Sequence, residues 1–150
     1  MATEIVLEQE YPHSIERVWR ALTEPSELSQ WLMACDGFEP RVGNRFVLRA
    51  RPQPGWRGFV ECEVTLCEPP SKLAYTWVGN DGQAPMLVTW TLEPTPRGTR
   101  LRLCHAGFAG LSGFMLAKLM LGPGWKKMLR RRMPLVLAGA GDARSDCHAA

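Results

Sequence analysis

From Asn44 to His105 the chain alternates apolar and polar residues in five successive stretches. A period of two sustained that long commits the middle of the sequence to strands. Phe46, Leu48 and Ala50 share one face. After the turn Pro52-Gln53-Pro54-Gly55 come Val60, Cys62, Val64 and Leu66, and after Pro69-Pro70 come Leu73, Tyr75 and Trp77. Met86, Val88, Trp90 and Leu92 follow the cluster Gly79-Asn80-Asp81-Gly82, and Leu101, Leu103 and His105 follow Pro94-Thr95-Pro96-Arg97-Gly98. Connections this short predict an antiparallel meander with one covered face and one wet face.

The flanks add a strand and helices. Glu4 to Tyr11 reads as a first strand, with Ile5, Leu7 and Tyr11 on one side. Ser14 is a helix N-cap, and Ile15, Val18, Trp19 and Leu22 form a helical stripe behind it. Thr23-Glu24-Pro25 restarts the chain into a second short helix, whose apolar edge is Leu28, Trp31 and Leu32. Leu111 to Leu121 is apolar enough to be largely covered. Its glycines and methionines allow a hinged lid, but an ordinary capping helix is the simpler reading. Gly122-Pro123-Gly124 is expected to interrupt it. A last helix then starts at Trp125, with Met128, Leu129 and Val136 inward and a kink or loosening at Pro134. The expectation is an α+β fold: a curved antiparallel sheet of about six strands around one long C-terminal helix, in a single domain over residues 1–138. Residues 139–150 read as a disordered tail. A large sheet closed by one helix also predicts a hollow between them.

Composition narrows the classes of function. The five cysteines have no paired spacing, and Glu4, Glu8 and Glu10 stand where a signal peptide would need apolar residues. A reduced, cytoplasmic protein without a membrane span is expected. The net charge of +3 divides into −5 over residues 1–93 and +8 over residues 94–150. Strand parity absorbs part of this. Arg45, Arg49 and Arg51 share the outer face with Glu61 and Glu63, and Arg100 and Arg102 meet Glu8 and Glu10 if the first and last strands are neighbours. Lys126, Lys127, Arg130, Arg131 and Arg132 then read as a solvated helix face. No helix-turn-helix, zinc-finger or aromatic-basic strand pattern accompanies them, so no nucleic-acid partner is expected.

No catalytic constellation stands out. Cys-x-x-Cys and His-x-x-x-His are absent, so neither a metal nor a cofactor is expected. Gly110-Leu111-Ser112-Gly113 lacks the strand-turn context of a nucleophile elbow, and Gly122 to Lys127 lacks phosphate-loop spacing. His105 is the one titratable candidate on the concave face. Trp77 and Trp90 point inward beside it, and Trp31 and Trp125 stand at the helical edges. Aromatic bulk with few convergent polar groups lines small-molecule pockets and fills ordinary cores alike.

The run Tyr11-Pro12, Val18-Trp19-Arg20-Ala21-Leu22-Thr23-Glu24-Pro25 and Trp31 resembles the opening of the SRPBCC (START/Bet v1-like) superfamily. The branch it resembles contains proteins similar to the C-terminal domain of the activator of Hsp90 ATPase. Arg41-Val42-Gly43, Glu68-Pro69-Pro70-Ser71-Lys72-Leu73 with Trp77, Gly98-Thr99-Arg100-Leu101 and Gly124-Trp125 extend the resemblance over residues 4–138. It implies a helix-grip fold with the first strand beside the last and a cavity under the C-terminal helix. The foremost functional expectation is a non-enzymatic binding protein for an apolar or aromatic small molecule. Trp31, Phe46, Leu48, Tyr75, Trp77, Val88, Trp90 and Leu103 would line the cavity, His105 would orient a polar group, and Trp125 would close one end. Two readings stand beside it: a cyclase- or hydrolase-type enzyme using His105, and a chaperone-associated protein-interaction module. The chain is expected as a monomer or homodimer.

Overall fold

In the computed structural model, which describes residues 2–140, strands β1 (Ala2–Tyr11) and β7 (Gly98–Ala109) pair antiparallel and close one edge of the sheet. Helices α1 (Ile15–Thr23) and α2 (Pro25–Trp31) follow β1. Then come β2 (Ala34–Asp36), β3 (Arg45–Arg49), β4 (Phe59–Glu68), β5 (Lys72–Trp77) and β6 (Met86–Thr95). The sheet is seven-stranded in the order β1-β7-β6-β5-β4-β3-β2 and curves around the C-terminal helix, a helix-grip arrangement. One strand more is present than the alternation showed. Ala34-Cys35-Asp36 pairs with Val47 to Arg49 over three residues, too few for a period of two to register.

The capping chemistry of the short helices is in place. Ser14 Oγ accepts from the Arg17 N–H at 3.1 Å, and Pro25 sits in the first turn of α2. A buried ion pair that the stripe gave no sign of joins them: Arg17 Nη1 lies 2.7 Å from Glu27 Oε1, and Arg17 Nη2 donates to the Val136 carbonyl at 2.8 Å. The two helices are thereby bound to each other and to the last turns of the C-terminal helix.

The C-terminal helix departs from expectation. It runs without interruption over residues 110–140, through Gly122-Pro123-Gly124. It does so by widening. π-helical turns at Ala117–Leu121 and Met128–Arg132 end immediately before Gly122-Pro123 and Met133-Pro134. A wider turn removes the crowding between a proline ring and the carbonyl four residues back, so neither proline ends the helix. Residues 141–150 of the expected tail lie outside the described residues. Leu111, Phe114, Met115, Leu119 and Met120 are exposed rather than covered, because this part of the helix turns only Ala117 fully toward the core. An all-round apolar segment carries no signal of which side faces in.

On the outer face the register pairs Arg45 with Glu63 and Glu8 with Arg102, with side chains 3.3 and 4.0 Å apart. Arg49 turns instead to Asp36 of β2 at 2.7 Å, while Glu61 is met by Arg57 at 3.0 Å. Glu10 stands opposite Arg100, yet its carboxylate accepts from Thr95, and Arg100 reaches Glu93 at 3.4 Å. Lys126, Lys127, Arg130, Arg131 and Arg132 are all exposed. Among the described residues, no helix is long and apolar enough to cross a membrane.

Candidate functional site

The inward face of the sheet delivers side chains in rows. Tyr75 of β5, Val88 of β6 and His105 of β7 are register partners in one row, and Leu73, Trp90 and Leu103 form the next. Trp31 comes down from α2, Trp125 from the C-terminal helix, and Phe46 and Leu48 from β3. All ten candidate residues are buried. Trp31 packs edge-on against Trp90 (ring centroids 5.7 Å apart) and Trp90 edge-on against Trp125 (5.5 Å), while Trp125 lies tilted against Trp77 (5.5 Å). Phe46 meets Tyr75 at 5.1 Å.

An opening of about 30 Å³ lies between Leu32, Met33, Trp77, Leu121, Gly124, Trp125 and Met128, room for about one water. A larger cleft of about 420 Å³ sits at the edge, lined by Gln83, Ala84, Met86, Gly107, Phe108, Ala109, Ser112, Gly113 and Leu116.

Polar atoms inside the cluster are few, and their bonding is specific. Trp31 donates its indole N–H to the Ala21 carbonyl at 2.8 Å, and Trp90 donates to the Tyr75 hydroxyl at 2.9 Å. Burial pushes the Tyr75 phenol well above its ordinary range. Trp125 donates to Nδ1 of His105 at 3.0 Å. Because Nδ1 accepts, the neutral imidazole carries its proton on Nε2. Nε2 is buried and has no hydrogen-bond partner among the described residues. Desolvation lowers the His105 pKa to about 4, so the ring is neutral at pH 7. Its neighbours are the rings of Trp77, Phe108 and Trp125, at 5.2, 4.8 and 5.9 Å. Glu27, the buried acid among the described residues, is engaged by Arg17. The arrangement offers a ligand one directed donor within an aromatic shell.

Phe108 joins the two regions, since it contacts His105 and also forms part of the cleft wall. Alternation does not predict this role. Counting from Leu101, Leu103 and His105, position 108 falls on the outer face. The register slips opposite Thr3 and Glu4, however, and Gly107 takes a φ of 107°, which returns Phe108 to the inside. A glycine inside a strand was the available sign.

Comparison with known proteins places this geometry. The sequence is similar to an uncharacterized protein of Mycobacterium tuberculosis, 32% identical over 105 residues, which cover 66% of this chain and 72% of that protein. Among solved structures, protein MLL2253 of Mesorhizobium loti is 35% identical with a TM-score of 0.76, covering 90% of this chain and 96% of the other. CalU16 of Micromonospora echinospora is 28% identical with a TM-score of 0.74, over 92% of this chain and 76% of that one. The Aha1 dimer of Colwellia psychrerythraea shares the fold at 20% identity, with a TM-score of 0.74 over 91% of this chain and 98% of that one. The profile of one family matches residues 12–137. This chain belongs to the Activator of Hsp90 ATPase homolog 1-like protein family, the branch of the SRPBCC superfamily that its motifs resemble.

Proposed function

We propose that this protein binds, without chemical turnover, an apolar or aromatic small molecule between the sheet and the C-terminal helix. The molecule carries a hydrogen-bond acceptor such as a carbonyl or quinone oxygen. The observation that carries this reading is the buried, unpartnered Nε2–H of His105. Leaving such a donor unsatisfied costs about 1–3 kcal/mol, which a ligand oxygen would recover on binding. The aromatic shell supplies the remaining affinity and selects flat or greasy ligands.

Entry requires movement. The cleft beside Met86, Gly113 and Leu116 is also lined by Phe108, whose ring lies 4.8 Å from that of His105. Displacing that ring and the first turns of the C-terminal helix would join the cleft to the interior. Trp31, Phe46, Leu48, Tyr75, Trp77, Val88, Trp90 and Leu103 then become the lining, with Trp125 holding the His105 tautomer.

Thermal shift against paired compounds tests this. Aromatic ketones and quinones are compared with their deoxygenated hydrocarbons. A ligand present at 100 times its dissociation constant stabilises by about 2.7 kcal/mol, a melting-temperature rise of about 5–10 °C for a chain of this length. The oxygenated member of each pair is expected to shift more. Equal shifts would remove the acceptor from the proposal, and no shift across the panel would remove the ligand.

A further inference from the structure

The C-terminal helix leaves an amphipathic surface unpartnered. Leu111, Leu119 and Met120 are 77%, 65% and 61% exposed, with Phe114 and Met115 beside them. Toward the other end Lys126, Lys127, Arg130, Arg131 and Arg132 are exposed as well. No acidic residue occurs between Glu93 and Asp142. Lys118 links the two zones, its Nζ lying 5.8 Å from the Phe114 ring centroid.

We propose that this face of the helix docks on an anionic lipid bilayer, with the apolar first half entering the headgroup boundary and the basic second half lying over lipid phosphates. Two other occupants fit less well. A second copy related by a two-fold axis would set one cationic helix against another, and like charges held together are repelled. A nucleic acid would neutralise the cations but would leave Leu111, Leu119 and Met120 against water or phosphate. An anionic bilayer satisfies both zones. Apolar side chains on an interfacial helix sit about 5–10 Å deep while cations stay at headgroup level. The helix runs unbroken over residues 110–140, long enough to keep the zones in sequence along the surface. The proposal stands independently of the ligand reading.

Co-sedimentation of the full chain with vesicles tests it. Phosphatidylcholine alone is compared with phosphatidylcholine containing about one-third phosphatidylglycerol, in about 50 mM and about 500 mM salt. Binding is expected to the anionic vesicles only, and to be lost in high salt. Each cation near the surface contributes about five-fold, so Lys126→Gln with Lys127→Gln should weaken partition about 25-fold. Leu119→Ser with Met120→Ser should weaken it at least about ten-fold. Both pairs are exposed, so the melting temperature should hold. Absence of binding to anionic vesicles overturns the proposal, as does binding that neither pair weakens. A dimer in light scattering that Leu119→Ser with Met120→Ser disperses, without vesicle binding, reassigns the face to a second copy. Binding to a short DNA duplex that the lysine pair alone abolishes, again without vesicle binding, reassigns it to nucleic acid.

Discussion

Trp125 Nε1 donates to His105 Nδ1 at 3.0 Å, and this one bond links the C-terminal helix to β7 while fixing the imidazole proton on the far nitrogen. Trp125→Phe keeps the ring and removes the donor. The buried Nδ1 then has no partner, a loss of about 1–3 kcal/mol in addition to any packing change. The expected readings are a lower midpoint in urea denaturation and imidazole nitrogen shifts that move from one tautomer toward a mixture. An unchanged tautomer would show that Trp125 does not set the proton's position.

His105 also sets an acid limit on stability. Its folded pKa, lowered to about 4 by burial, lies below the ordinary 6.5. Between those values the unfolded chain binds a proton that the folded chain refuses, so stability falls as pH drops and the loss ends near pH 4. The shift corresponds to about 3 kcal/mol. Denaturation midpoints from about pH 7 to pH 4 should follow this slope, and His105→Gln should flatten it. An identical slope in the variant would place the acid sensitivity elsewhere.

Arg17 and Glu27 must be judged together, with Arg20 Nε 3.5 Å from the second carboxylate oxygen of Glu27 at the half-exposed edge of the pair. Glu27→Met leaves the Arg17 guanidinium buried beside the Val136 carbonyl, and breaking such a pair costs about 3–5 kcal/mol. Arg17→Met together with Glu27→Met removes both charges and should cost much less. A double-mutant cycle in urea measures the difference. Additive losses would mean that the two charges contribute separately.

Gly98 illustrates a motif residue whose reason is steric. A Cβ there would stand 2.7 Å from the His13 nitrogen and 2.9 Å from the Pro12 Cα, and closer still to the Tyr11 carbonyl oxygen. All three are backbone atoms of the chain leaving β1, so no side chain can give way. Gly98→Ala is expected to lower stability by about 1–3 kcal/mol, or more if β1 separates from β7. A melting temperature within error of the parent would show that the turn relaxes freely.

What the sequence revealed and concealed follows from the range of each signal. Alternation is a signal of many residues, so the meander and the inward set from Phe46 to His105 were legible, save Ala50, which is exposed just past the end of β3, and with them the Glu8–Arg102 register once β1 was placed beside β7. β2 is too short to alternate, and one glycine in the register slip at Gly107 reversed the parity of Phe108. Pro123 read as a break because a proline normally ends a helix, whereas the loosening expected at Pro134 takes the form of a π-helical turn just before it; such turns have no sequence signature of their own. The ten candidate side chains were assigned to one interior from parity and helix edges alone. How little space remains between them depends on ring angles such as the 86° between Trp31 and Trp90, which pattern does not encode.

Phe108 provides the test that separates a sealed core from a closed door. It is 1% exposed, contacts His105 and lines the cleft. Phe108→Ala should cost about 3–5 kcal/mol in the free protein, as a buried phenyl normally does. If the ring is also the obstacle to entry, its removal joins the cleft of about 420 Å³ to the Nε2–H of His105. Aromatic ketones should then bind faster and give a larger thermal shift than in the parent, while their hydrocarbon counterparts gain less. Adding His105→Gln to Phe108→Ala should reduce the preference for the ketone without closing the space. A Phe108→Ala protein that is destabilised but gains no affinity for either member of the pair would identify the interior as packing alone.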